Sequence, residues 1–307
     1  MYDAKERALA LGYFDGLHVA HMKVLAAALT QKKCGLVPAV LLFDRHPAEV
    51  LYGAKIPRLL TEADRDAILS DMGFELIRMS FAGIKDLSPS EFFSDIIVQR
   101  LRCGFVSCGY NYTFGKNGEG TQDLLAALCL TGGVALSVSE QVCDNGIPVS
   151  SSAIRNAAAE GDMETVSRML GRPLTFEASV FSGDHRGRKL DAPTVNQYLP
   201  DGFIRPRAGV YASVAQFEGK RYPAVTNIGV RPTFHGDSFR SETHIMDYSG
   251  DLYGKQIRLY LLSFLRAERT FDSFDALKTQ IGADIAAAKS RVCASGFLSE
   301  KIENVFK

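Results

Sequence analysis

Ala8-Leu9-Ala10-Leu11-Gly12-Tyr13-Phe14-Asp15-Gly16-Leu17-His18-Val19-Ala20-His21 changes character twice within a few residues. The apolar run Ala8 to Phe14 reads as a short buried strand, Asp15-Gly16 as a turn, and His18 to Lys32 as an amphipathic helix opened by two histidines. A strand, a tight turn and a helix in that order form the first half of a βαβ unit, and open α/β sheets bind ligands at such a turn. A helix N-terminus leaves backbone N–H groups unpaired and carries a partial positive charge, so it attracts phosphate. Histidines at i and i+3 share one face of the first helical turn, where both rings reach the same phosphate chain. A histidine at a helix start also serves as a plain cap or packing residue, and spacing alone does not separate the two roles.

Outward from that stretch, apolar runs and helical patterns alternate. Strands are expected at Val37 to Phe43, Glu75 to Met79 and Phe105 to Gly109, and helices at Thr61 to Met72 and Pro89 to Leu101. Thr61 with Asp64, and Ser88 with Glu91, have capping-box spacing at two of those helix starts. This order predicts an α/β domain with a parallel, Rossmann-like sheet over residues 1–172. Gly161-Asp162 separates two short helices, and Gly171-Arg172-Pro173 ends the domain.

Beyond Thr175 the pattern becomes short apolar runs split by glycine: Phe176 to Phe181, Gly209 to Phe217, Tyr222 to Gly229, Glu242 to Tyr248 and Gln256 to Phe264. Such spacing predicts an antiparallel β-barrel over residues 173–307. A C-terminal helix from Phe274 to about Ser290 carries an apolar stripe of Leu277, Ile281 and Ile285, which reads as packing.

A second phosphate grip is written in Pro148-Val149-Ser150-Ser151-Ser152-Ala153-Ile154-Arg155. Hydroxyls and a planar cation stand there just before a helical run from Ala153 to Glu160. Serine at an N-cap is ordinary, so the segment gains meaning only beside the histidine pair.

Together the two segments resemble the class I adenylyltransferase patterns H-x-G-H and I-S-S-T-x-x-R, with Ala20 in place of the glycine and Ser152 in place of the threonine. Gly12-Tyr13-Phe14-Asp15-Gly16, Phe43-Asp44-Arg45-His46-Pro47, Gly109-Tyr110-Asn111-Tyr112-Thr113-Phe114-Gly115 and Leu170-Gly171-Arg172-Pro173 are similar to words of the bacterial bifunctional riboflavin kinase/FMN adenylyltransferases, or FAD synthetases. In the second half Pro193-Thr194-Val195-Asn196, Glu242-Thr243-His244-Ile245 and Asp251-Leu252-Tyr253-Gly254 resemble that family's P-T-x-N, E-T-H-x and D-L-Y-G. The resemblance runs from about residue 8 to residue 287, and Asp191-Ala192 departs from the family's G-F before P-T-x-N.

The resemblance implies two ATP-dependent reactions, phosphorylation of riboflavin to FMN and adenylylation of FMN to FAD. For the second, it implies that His18 and His21 hold the ATP phosphates and that Ser151, Ser152 and Arg155 hold the far side of the triphosphate. Gly12, Phe14, Asp15, Gly16, His46 and Asn111 complete the implied nucleotide and substrate contacts. No protein nucleophile is required, because the FMN phosphate itself attacks; the site need only position two anions that repel each other.

For the kinase, the riboflavin 5′-hydroxyl needs a base, and Glu242 of the E-T-H word is the implied candidate. Thr194 and Asn196 fall on one face of an extended segment, where their oxygens suit Mg²⁺ bridged to phosphates. Gly183, Gly187 and Arg188, in a glycine-rich basic loop just upstream, are expected at the triphosphate.

Composition is compatible with this reading. A chain of 307 residues suits about two domains. Thirty-five basic and 35 acidic residues cancel, which disfavours a broad nucleic-acid-binding face. The apolar stretches are too short for a membrane span or a signal h-region, so a cytoplasmic protein without a membrane partner is expected. Six cysteines lack C-x-x-C spacing and are expected to be reduced core thiols. Oligomeric state is not written in the chain. Two alternatives stand beside this reading: an enzyme with only one active half, the kinase, because His18-Val19-Ala20-His21 departs from H-x-G-H, or a flavin- or nucleotide-binding regulatory paralogue without turnover.

Overall fold

The computed structural model describes residues 6–181, 193–233 and 236–298. By backbone contacts the chain divides into two compact units, one of residues 1–56 and 62–150, the other of residues 57–61 and 151–307.

The first unit is built on five parallel strands, β1 (Arg7–Ala10), β2 (Val37–Phe43), β3 (Glu75–Met79), β4 (Cys103–Gly109) and β5 (Ala135–Ser139), in the order β3-β2-β1-β4-β5. Ala8, Leu9 and Ala10 are fully buried, as expected of a central parallel strand covered on both faces. The strand order reverses direction between β1 and β4, and at such a switch point the loops leaving the carboxyl ends of the strands form a crevice. Helix α1 (Val19–Thr30) leads away from it and packs on β1 and β4, where the buried Ser107 hydroxyl donates to the Val24 carbonyl at 2.9 Å.

This unit also holds helices α2 (Pro47–Tyr52), α3 (Glu62–Asp71) and α4 (Pro89–Glu91), the last continuing as a wide π-type helix over Phe92–Arg100. Ser88 opens α4 with the expected capping box: its hydroxyl accepts from the Glu91 N–H, and the Glu91 carboxylate accepts from the Ser88 N–H at 2.8 Å. Helix α5 (Gln122–Gly132) and strand β5 were not anticipated from the sequence pattern, nor was α2. A hairpin of β6 (Cys143–Asp144) and β7 (Ile147–Pro148) turns on Asn145 and Gly146, both at positive φ, as an Asn-Gly turn favours.

The second unit starts with α6 (Ser151–Glu160) and α7 (Met163–Leu170), followed by an antiparallel sheet of six strands. These are β8 (Leu174–Ser179), β9 (Thr194–Tyr198), β10 (Gly209–Phe217), β11 (Lys220–Thr233), β12 (Gly236–Ile245) and β13 (Gln256–Arg266), in the order β8-β13-β10-β11-β12-β9. The sheet curls until its two edges meet: the Phe181 N–H donates to the Asn196 carbonyl at 2.9 Å. Inside, the Gln197 amide donates to the carbonyls of Ala178 and Ile257 at 2.6 and 2.8 Å, linking β9 to strands on the opposite edge.

Helix α8 (Phe274–Ser295) covers β10, β11 and β13. Its buried stripe is Asp284, Ala288 and Val292 with Ile285 beside them, while Leu277 and Ile281 are only half-buried. Asp284 takes its place there because Arg266 of β13 donates to both of its carboxylate oxygens, at 2.7 to 3.1 Å.

All six cysteines are free thiols. Cys103, Cys108 and Cys129 are core residues, and burial pushes the Cys103 thiol up to about 12 and the other two to about 11. Cys34, Cys143 and Cys293 are exposed, which corrects the expectation that all six are core. No helix among the described residues is long and apolar enough to cross a membrane.

Candidate functional site

The loop between β1 and α1 turns left-handed three times, at Phe14 (φ 58°), Gly16 (φ 80°) and Leu17 (φ 46°). Non-glycine residues in that region are strained by about 1 kcal/mol or more, and such strain persists only where the surroundings over-determine it. Here Phe14, Asp15, Gly16, Leu17 and His18 are all buried. Phe14 is a scaffold residue: a Cβ at Gly12 would stand 3.1 Å from its ring, and its edge meets the His21 ring at 5.3 Å.

His18 is the N-cap of α1, its Nδ1 accepting from the His21 N–H at 3.2 Å. An acceptor nitrogen carries no proton, so the His18 ring presents Nε2–H as its donor. The rings of His18 and His21 stack at 3.5 Å and 14°. Burial first, and the neighbouring His18 ring second, hold the proton affinity of His21 well below the ordinary histidine value, so its ring is neutral near pH 7. Its Nδ1 is enclosed with no hydrogen-bond partner among the described residues. A buried polar atom left so costs about 1–3 kcal/mol.

Ala20 occupies the second position of α1 and is absent from the residues of positive φ, so the turn does not demand glycine. His46 repeats the capping device at the start of α2: its Nδ1 accepts from the Ala48 N–H at 3.0 Å, with Pro47 as the first helical residue. The Tyr13 ring stands edge-on to it at 4.2 Å, joining the loops that leave β1 and β2. Asn111 is exposed in the loop leaving β4, the strand beside β1, and the Tyr112 N–H closes that turn on the Gly109 carbonyl at 3.1 Å. Sheet order therefore brings His18, His21, His46 and Asn111 to one edge of the first unit.

Ser151, Ser152 and Arg155 belong to the second unit. Helix α6 starts at Ser151 itself, Ser152 is exposed, and the Arg155 Nε–H donates to the Pro57 carbonyl at 2.7 Å.

On the barrel, the β9–β12 register sets Glu242 opposite Asn196 and His244 opposite Thr194. Directly opposed residues share a face, so these four side chains lie on one face of the sheet, Asn196 buried and the other three half-buried. Glu242 is paired with Arg240 at 3.1 Å, and Asn227, opposite it on β11, donates to Glu268 at 2.8 Å. The inner face carries a buried hydroxyl ladder, Ser213 to Thr226 at 2.7 Å and Thr226 to Thr243 at 2.9 Å.

Where β12 ends and β9 begins, a cavity of about 490 Å³ is lined by Pro193, Thr194, Val195, Thr243, Ile245 and the Tyr248–Tyr253 loop. That volume lies within the roughly 300–1,000 Å³ of small-molecule sites. Asp251 shapes the loop by accepting from the Tyr253 N–H at 3.0 Å, and Leu252 is its buried anchor. The D-L-Y-G word carries Asx-turn chemistry in the chain itself, but nothing in it marks a cavity wall. Gly183, Gly187, Arg188 and the departure at Asp191-Ala192 lie outside the described residues.

Residues 2–153 match the FAD synthetase family and residues 170–292 match the riboflavin kinase family. The chain is 33% identical, over 93% of both chains, to the bifunctional riboflavin kinase/FMN adenylyltransferase of Pseudomonas fluorescens. To the protein of that name from Bacillus subtilis (strain 168) it is 34% identical over 90% of this chain and 89% of the other. A crystal structure described as a macrolide-efflux protein from Streptococcus pneumoniae superposes with a TM-score of 0.85 and 29% identity, over 93% of this chain and 94% of that one.

Proposed function

The chain belongs to the family of bifunctional riboflavin kinase/FMN adenylyltransferases, and on that premise we propose how its residues divide the two reactions. It is a riboflavin kinase and an FMN adenylyltransferase that uses ATP in both steps. Adenylyl transfer is assigned to residues 1–172 and riboflavin phosphorylation to residues 173–307, with the enzyme acting in the cytoplasm.

In the kinase reaction the riboflavin 5′-oxygen forms a bond to the γ-phosphorus of ATP as the bond to ADP breaks, and the hydroxyl proton must leave. Glu242 takes that proton. The observation that carries this reading is the register that puts Glu242 beside Asn196, and His244 beside Thr194, on one face of β9 and β12. Thr194 and Asn196 supply hard, neutral oxygens, and no cluster of three or more His, Cys, Asp or Glu fit for a metal occurs among the described residues. That donor set fits Mg²⁺, a hard cation that takes oxygen ligands and would complete its shell with phosphate oxygens and water. When bound it neutralises charge between the phosphates. The cavity beside Thr194 is assigned to the nucleotide.

In the adenylyl reaction an FMN phosphate oxygen bonds to the α-phosphorus of ATP and pyrophosphate leaves. His18 donates from Nε2–H to the phosphate chain, and the His21 ring stacked on it is assigned to the same phosphates. Gly12, Phe14, Asp15 and Gly16 shape the loop, His46 and Asn111 contact substrate at the same sheet edge, and Ser151, Ser152 and Arg155, at the start of α6, are assigned to phosphate binding. Gly183, Gly187 and Arg188 are assigned to the kinase triphosphate.

The two roles separate by substitution. Glu242→Gln slows FMN formation by about 10² to 10⁴ with riboflavin binding retained, as loss of a general base does. His21→Ala abolishes FAD formation from FMN and leaves riboflavin phosphorylation intact. Product chromatography reads both; near-normal FMN formation by Glu242→Gln, or undiminished FAD formation by His21→Ala, overturns the corresponding assignment.

A further inference from the structure

The β9–β12 ladder begins at Thr194 opposite His244, and Pro193 lies one residue outside it. A proline nitrogen has no hydrogen to donate, so the Pro193 carbonyl is the only backbone group of that residue able to pair. The His244 Nδ1 stands 3.0 Å from it. A carbonyl only accepts, so Nδ1 carries the proton, in the neutral ring and the cation alike. We propose that His244 is a positioning residue for riboflavin phosphorylation, its Nδ1–H tethering the Pro193 carbonyl and so holding the start of the strand that carries Thr194 and Asn196.

The tether extends the strand pairing by one residue at the end where it would otherwise fray. That end matters because Pro193 and Thr194 both line the cavity. A strand end free to peel away would move the Thr194 hydroxyl off the position at which it would hold Mg-ATP. His244 does this through the backbone and has no need to touch substrate. The inference rests on the reading of Thr194 and Asn196 as the Mg-ATP contacts.

Three substitutions test it in the full-length protein. His244→Asn places an amide nitrogen near where Nδ1 stood, His244→Gln places it one bond farther out, and His244→Ala removes it. FMN formation by the Ala and Gln variants shows a KM for Mg-ATP raised by about 2- to 12-fold, the value of one neutral hydrogen bond, with a smaller change in kcat. The Asn variant recovers most of the loss, which a ring needed only for packing would not allow. FAD formation from FMN is unchanged in all three. Amide hydrogen exchange over Thr194–Tyr198 is faster in the Ala and Gln variants than in the wild-type or Asn proteins. An Asn variant as impaired as Ala, or an Ala variant with unaltered KM and exchange, overturns the tether. A wild-type protein that forms no FMN overturns the kinase reading itself, and the exchange result then decides the tether alone.

Discussion

The ring of His21 stacks on His18 at 3.5 Å and has its Nδ1 enclosed, so a second proton on it would sit beside another imidazole and away from water. Burial accordingly lowers its proton affinity in the folded chain below that of the unfolded one. Below about pH 6.5 the unfolded chain takes up a proton that the native ring refuses, which draws the equilibrium toward unfolding. The contribution is therefore fully present above about pH 6.5 and is lost on acidification, at up to about 1.4 kcal/mol per pH unit. Urea titration at about pH 7.5 and about pH 5.5 is expected to show a falling midpoint, and a smaller fall in His21→Gln, which has no proton to gain. Equal falls in both proteins would remove His21 from the account.

At the scale of the element, α1 decides how Ala20 is read. Because Ala20 sits in ordinary helical backbone, glycine there adds conformational freedom without relieving strain. Ala20→Gly is expected to lower stability by up to about 1 kcal/mol and to leave the rate of FAD formation unchanged. Thermal melting and FAD chromatography check it; a gain in FAD formation would mean that the alanine methyl obstructs the phosphates.

Elements whose pattern agrees with their burial were legible in the chain. Strands β2, β3 and β10 match their predicted limits, and the Ser88 capping box stands as expected. Helix α5 was missed although Thr121 caps it and Gly133 ends it, because Leu124 and Leu130 are exposed and blur its apolar stripe. Strand β1 stops at Ala10 although the apolar run continues to Phe14, where positive φ turns the chain toward α1. The histidine pair was legible as a helix start, but its stacking and the His18 cap depend on side-chain rotation that spacing does not encode. The meeting of Glu242 with Asn196 is a product of strand order, and that order was not readable from either strand alone.

For the whole molecule, the functional border and the compact units differ. Residues 151–172 carry the proposed triphosphate grip, yet α6 and α7 belong to the compact unit of the barrel. Helix α7 buries Met163, Val166, Met169 and Leu170 and packs on β8 and β13. A fragment of residues 151–307 is therefore expected to fold and phosphorylate riboflavin, whereas one starting at Leu174 exposes the sheet surface under α7 and melts at a lower temperature. Equal melting temperatures would show that the helices contribute nothing to the barrel. The central claim, that one chain makes FMN and then FAD, is tested most directly by incubating the purified protein with riboflavin, ATP and Mg²⁺ and separating the flavins over time. Riboflavin is predicted to fall, FMN to rise first and FAD to follow at its expense, with ADP and pyrophosphate as the other products. FMN without FAD would contradict the adenylyl half, and unchanged riboflavin would contradict the whole.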